Sequence, residues 1–89
     1  MSNKKTSNQE LQFPIACHYR IIAVDIPNID KVIETVLQKF EVLNALQEGN
    51  QSRKGKYLSF GVDINIKSKE EMRQVNSELL KVEGVKMVL

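Results

Sequence analysis

Leu58, Phe60, Val62, Ile64 and Ile66 alternate with Tyr57, Ser59, Gly61, Asp63 and Asn65, the period that turns successive side chains of a β-strand to opposite faces. The alternation predicts a strand from Lys56 to Ile66 with its apolar set against a core. A second strand is predicted over "IACHYRIIAVD", Ile15 to Asp25, rich in β-branched and aromatic residues and ended by the turn-forming "DIPN". The period then changes. Ile29, Val32, Ile33, Val36, Leu37 and Phe40 follow the 3, 4 spacing of one helical face, with Asn28 placed as N-cap and Asp30 favourable in the first turn. In "SKEE", Ser68 and Glu71 have the spacing of a capping box, and Met72, Val75, Leu79 and Val82 continue as a second helical stripe. Gly84 stands where a left-handed residue would stop that helix. "EVLNALQE", residues 41–48, reads as a strand although Ala, Leu and Glu also suit a helix, and the closing "VKMVL" alternates as a last strand.

The resulting order, β-α-β-β-α-β, is the split βαβ arrangement of ferredoxin-like folds: an α+β two-layer sandwich, with a four-stranded antiparallel sheet carrying two helices on one face. Its other face is open unless a partner covers it. Residues 1–10, polar and without apolar period, read as a disordered tail, and residues 11–89 as a single domain. A chain of 89 residues has room for one such domain, which buries roughly 60 to 65% of the surface its unfolded form exposes.

Three segments carry a family resemblance. "LQFPIACHYR", "SRKGKYLSFGVDINI" and the ending "MVL" together resemble the YbeD-like family of small uncharacterised bacterial proteins, over nearly all of the chain from about Leu11 to Leu89. The most specific pieces are Phe13-Pro14, Tyr19-Arg20, the Ser52-x-Lys54-Gly55-x-Tyr57-x-Ser59 pattern and Met87-Val88-Leu89. The resemblance implies a ferredoxin-like fold similar to the ACT regulatory domains of amino-acid metabolic enzymes, and it implies no reaction. "VDIPNIDKVIETVL" also looks like the ACT pattern in which a strand ends in Asp-x-Pro-Gly before a helix. Asn28 takes the place of that glycine, whose missing side chain lets a ligand approach the backbone. Asp25, Pro27 and Asn28 are therefore a candidate turn for an amino-acid-like ligand, with a plain helix cap as the alternative.

Composition narrows the chemistry. With 42% hydrophobic and 27% charged residues and a net charge of +2, the chain is an ordinary globular one. No run reaches the ~18 apolar residues of a membrane span, and "MSNKKTSNQE" lacks the apolar core of a secretory signal, so the reading is cytoplasmic, without membrane. Cys17 is the one cysteine and His18 the one histidine, which excludes an intramolecular disulfide and the multi-cysteine zinc sites. As strand neighbours the two point to opposite faces and cannot act as nucleophile and base, leaving Cys17 as a core residue. Asp25, Glu34 and Asp63 read as scattered surface carboxylates. No catalytic residue, metal or cofactor is implied.

The stretch "SRKGKYLSFGVDINI" also has the look of an RNA-reading strand, a basic residue and glycine followed by aromatics. Such a sheet needs two or three outward aromatics to stack on bases. Here Phe60 points inward, Tyr57 is the one outward aromatic of its strand, and Ser59 follows it, which argues against nucleic acid. "GNQSRKGK" does not match a P-loop and leads into a strand where a P-loop leads into a helix. Arg53, Lys54 and Lys56 form a basic loop, either a solvated turn or a contact for an acidic partner. "RIIAV" is apolar on both alternations, so Ile22 and Val24, with Val88 of the last strand beside Lys86, would place an apolar patch on the open face.

The sequence reading is thus a non-enzymatic regulatory or adaptor module acting through contact with a protein partner or a second copy of itself. Arg20, Ile22, Val24, Tyr57 and Ser59 on the sheet face and Arg53, Lys54 and Lys56 in the loop are its contact residues. Its rivals are an amino-acid-like ligand sensor at Asp25 to Asn28 and weak nucleic-acid binding through the loop.

Overall fold

The computed structural model describes residues 12–49 and 55–89. The tail expected over residues 1–10 and the loop residues Arg53 and Lys54 lie outside the described residues. The order is β1 (Ile15–Val24), α1 (Ile29–Leu37), β2 (Glu41–Glu48), β3 (Tyr57–Ile66), α2 (Lys69–Leu80) and β4 (Val85–Val88). The strands form one antiparallel sheet in the order β2-β3-β1-β4, the expected ferredoxin-like topology. β1 and β3 pair along their whole length, from Ile15 opposite Ile66 to Val24 opposite Tyr57.

The alternation of both central strands fixes which face is covered. Tyr19, Ile21 and Ala23 of β1 and Leu58, Phe60, Val62, Ile64 and Ile66 of β3 are buried beneath Ile29, Ile33 and Leu37 of α1 and Val75 and Leu79 of α2. Each fully buried aliphatic side chain contributes about 1.5 to 3 kcal/mol, and no polar or charged residue is buried among the described residues. Cys17, expected in the core, is half-buried at its margin. Val32, expected on the buried stripe of α1, is 46% exposed, because a helix of nine residues against one sheet buries a narrower stripe than the spacing allows.

Four local features depart from expectation. Asn28 begins α1 in the left-handed region, φ 65°, and its side chain makes no capping hydrogen bond; asparagine tolerates that conformation better than most residues. Ser68 caps α2 as expected, its Oγ accepting from Glu71 N–H at 3.0 Å, but Glu71 reaches past Ser68 to accept from Lys67 N–H at 2.7 Å. α2 ends at Leu80, and Gly84, φ 99°, serves the turn into β4, where a Cβ would lie 3.0 Å from Ile26 Cδ1. β4 carries a register shift: Met87 pairs with Ile22 and Val85 with Ala23, leaving Lys86 as an extra residue. This bulge turns both Val85 and Val88 toward the core. The outward position expected for Val88 is therefore taken by Met87. β2 is a true strand, irregularly paired to β3 at the sheet edge.

Candidate functional site

The uncovered face of the sheet is set by the pairing register. Along β1 and β3, His18 stands opposite Asp63, Arg20 opposite Gly61, Ile22 opposite Ser59 and Val24 opposite Tyr57. On the β4 side Met87 is opposite Ile22, and Leu89 and Arg20 exchange two backbone hydrogen bonds of 2.8 and 3.1 Å. On the β2 side Asn44 is opposite Asp63 and Gln47 opposite Gly61. Two halves with different chemistry result.

The apolar half holds Ile22 and Val24, half-buried between their neighbours, with Tyr57 43%, Met87 49% and Leu89 63% exposed around them. A solvated face of an antiparallel sheet is ordinarily polar, so this grouping is a departure. Arg20 adjoins it and is exposed, with no ion pair among the described residues.

The polar half is built on Asp63. Its carboxylate takes His18 Nδ1 on one oxygen and the side-chain N–H of Asn44 on the other, both at 2.7 Å. A carboxylate only accepts, so His18 carries its proton on Nδ1, and in the neutral ring Nε2 is left as an acceptor. The bond from His18, followed by that from Asn44, holds the Asp63 carboxyl below the usual carboxylate range. The second carboxylate of this face, Glu41, bonds Lys67 at 3.1 Å and Asn65 at 3.3 Å, and these bonds lower its pKa too. The polar half holds an open hollow of about 720 Å³ that runs toward the β2 edge, lined by His18, Arg20, Asn44, Glu48, Gly61 and Asp63 among others. Ser59 is not bonded to His18 among the described residues, so the His18–Asp63 pair lacks the joined nucleophile of a triad. Nor do three His, Cys, Asp or Glu side chains converge as a metal site among the described residues.

Of the residues singled out by sequence, Arg20, Ile22, Val24, Tyr57 and Ser59 do share this face. Cys17 and His18 do point apart, the first packed against the core and the second 63% exposed. Lys56 is exposed at the start of β3, its carbonyl accepting from Asp25 N–H at 2.9 Å, while Arg53 and Lys54 lie outside the described residues. Asp25, Pro27 and Asn28 form an exposed turn at the end of β1. Sequence reasoning missed the His18–Asp63–Asn44 group, Gly61, Met87 and Leu89. Alternation puts His18 and Asp63 on one face, but only the long-range register makes them neighbours. No helix among the described residues is long and apolar enough to cross a membrane.

Comparison with known proteins agrees with the fold and leaves the activity open. A family model described as "Protein of unknown function (DUF493)" matches residues 8–89. A UPF0250 protein of Shewanella frigidimarina is 32% identical over 85 residues, 94% of this chain and 96% of that protein. One from Haemophilus influenzae is 28% identical over 79 residues, 89% and 86% of the two chains. Among solved structures, the ACT domain from GTP pyrophosphokinase of Chlorobium tepidum is similar with a TM-score of 0.68 at 22% identity, covering 84% of this chain and 95% of that one. The solution structure of protein HP0495 from H. pylori is similar with a TM-score of 0.70 at 18% identity, covering 100% and 98%.

Proposed function

This chain is a member of the DUF493 family of proteins of unknown function, and we propose that it is a non-enzymatic, cytoplasmic regulatory or adaptor module that works by docking its open sheet face against a protein. The observation that carries this reading is the contiguous apolar half of that face, Ile22, Val24, Tyr57, Met87 and Leu89, set beside an Arg20 that has no ion pair among the described residues. Tyr, Met and Arg are the residue types enriched where interfaces are buried. The neighbouring polar half supports a binding role over catalysis, since its histidine and carboxylate engage each other and Asn44, with no nucleophile joined to them among the described residues.

Affinity capture from a native lysate tests this, with wild type compared to Ile22→Glu. Wild type is expected to retain a protein that the variant loses; equal retention by both removes the reading. One observation favours a second reading. Asn28 holds a left-handed backbone, which glycine adopts most readily, at the place where the ACT pattern has glycine, and this supports an amino-acid sensor at the turn. A panel of amino acids that leaves the melting temperature unchanged eliminates it.

A further inference from the structure

We propose that the hollow of the polar half is a binding site for a small carboxylate bearing a hydrogen-bond donor on the adjacent carbon, an α-hydroxy or α-amino acid. The site shares the sheet face with the docking patch but uses none of its apolar residues. Its frame is one row across three strands. Arg20 of β1 stands opposite Gly61 of β3, and Gly61 opposite Gln47 of β2. Because Arg20 exchanges its backbone bonds with Leu89, its pairing with Gly61 is the closer, non-hydrogen-bonded kind, with Cβ positions about 4.5 to 5.5 Å apart. The His18 ring lies across this row, its Nε2 3.4 Å from the Cβ position of Gly61. Nε2 is therefore within about 9 Å of the Arg20 Cβ, a span that the arginine side chain and a two-carbon ligand cover together.

Each end of that span asks for a different group. Nδ1–H of His18 is committed to Asp63 at 2.7 Å, so in the neutral ring Nε2 presents a lone pair and takes a donor. Arg20, exposed and without an ion pair among the described residues, presents a planar fork of N–H groups that matches a carboxylate. A carboxylate for Arg20 and a hydroxyl or ammonium for His18 sit on neighbouring carbons of one small molecule. Beside the ring the hollow continues to Ser59 and Gln47, whose hydroxyl and amide N–H donate to the second carboxylate oxygen.

Charge and size narrow the class. Asp63 and Glu48 also line the hollow, two carboxylates against one arginine, so a second negative charge on the ligand is repelled. This favours a monocarboxylate over a phosphate ester. The hollow holds about 720 Å³, inside the ~300 to 1,000 Å³ of small-molecule sites. One charge-assisted pair in a site open to solvent corresponds to a Kd on the order of 1 mM.

Nitrogen-15 correlation spectra of the full chain test the site, titrated with glycolate, glycine, acetate and inorganic phosphate to ~20 mM, well above that Kd. Glycolate or glycine is expected to shift the amides of Ser59, Gly61 and Gln47 along a saturating curve and to move the His18 Nε2 resonance. Acetate, which lacks the donor, is expected to bind about tenfold more weakly, the worth of one hydrogen bond, and phosphate no better than acetate. Arg20→Gln is expected to abolish saturation, and His18→Phe to lower glycolate and glycine to the level of acetate, both with the far-UV spectrum of the wild type. Saturation by glycolate alone assigns the hydroxy acid, and by glycine alone the amino acid. No saturating shift with either, acetate or phosphate binding as tightly, an Arg20→Gln chain that binds like wild type, or shifts confined to the Asp25 to Asn28 turn overturns the proposal. No protein partner enters this titration, so its failure leaves the docking reading to stand or fall on Ile22→Glu.

Discussion

The imidazole of His18 lies across Gly61, so that a Cβ on that glycine would stand 3.1 Å from Cε1 and 3.4 Å from Nε2 of the ring. The missing side chain thus gives the ring room to reach Asp63 beside the hollow of the polar half. Gly61→Ala puts a methyl about 3.1 Å from the ring, and because His18 is 63% exposed the ring is expected to swing out into solvent and away from Asp63. Alanine also restricts the unfolded chain, worth about 0.4 to 1 kcal/mol, so overall stability should change by less than ~1 kcal/mol while the His18–Asp63 bond is lost. Nitrogen-15 spectra of the imidazole check this; a ring still bonded through Nδ1 contradicts it.

The Asp63 carboxyl titrates below the ordinary range in the folded protein because His18 and Asn44 bond its charged form. Its contribution to stability is therefore present at pH above the unfolded pKa and disappears as the pH falls through the lowered folded value. Glu41 and Glu78 are shifted the same way by Lys67 and Lys39, so a global acid-unfolding curve cannot isolate Asp63. Carbon-13 titration of the Asp63 carboxyl can. Its midpoint is expected to rise toward the ordinary value in His18→Ala, and an unchanged midpoint denies the bond its role.

Tyr19 is 6% exposed and its hydroxyl has no partner among the described residues. Burial, then the nearby Cys17 and Glu71, push its pKa up. A buried hydroxyl without a partner costs about 1 to 3 kcal/mol, so Tyr19→Phe is expected to leave stability unchanged or raise it, seen as a higher urea midpoint at constant slope. The raised pKa means that the neutral phenol supports the fold below the unfolded pKa and that this is lost as pH climbs through the folded one. Tyr19→Phe should accordingly unfold less readily at alkaline pH than wild type.

The α2 N-terminus is held by the Ser68 Oγ bond to Glu71 N–H and by the Glu71 carboxylate on Lys67 N–H. Ser68→Ala is expected to cost about 1 kcal/mol, read as a lower melting temperature with faster amide exchange confined to the first turn of α2. Loss of protection throughout the sheet instead would mean that the cap does more than hold its own helix.

These elements also mark how far the sequence could be read. The Leu58 to Ile66 alternation, the α1 spacing and the Ser68 cap are local signals that appear in the structure, although α1 ends at Leu37 before Phe40 and leaves Val32 of its stripe exposed. Non-local geometry was illegible. The bulge at Lys86 reverses the face of Val88, and no residue type near it announces an extra position. β2 is obscured by Ala, Leu and Glu, and its irregular pairing breaks any period. On the candidate site, the β1 half follows from "RIIAV" alone, whereas His18, Asp63 and Asn44 come from three strands and meet only through registers. Asn28 was placed correctly at the start of α1, but its use of backbone conformation in place of a side-chain cap depends on how tightly the chain turns after Pro27.

If a protein surface covers this sheet face, the methyl groups on it are hidden from solvent. Relaxation of the Ile22, Val24, Met87 and Leu89 methyls by a soluble paramagnetic probe can be measured in concentrated native lysate, with the exposed Val32 of α1 as internal reference. The four face residues are expected to be shielded relative to Val32, and Ile22→Glu is expected to restore access at the remaining three. Met87 and Leu89 relaxing as fast as their 49% and 63% exposure in the single chain dictates would contradict it.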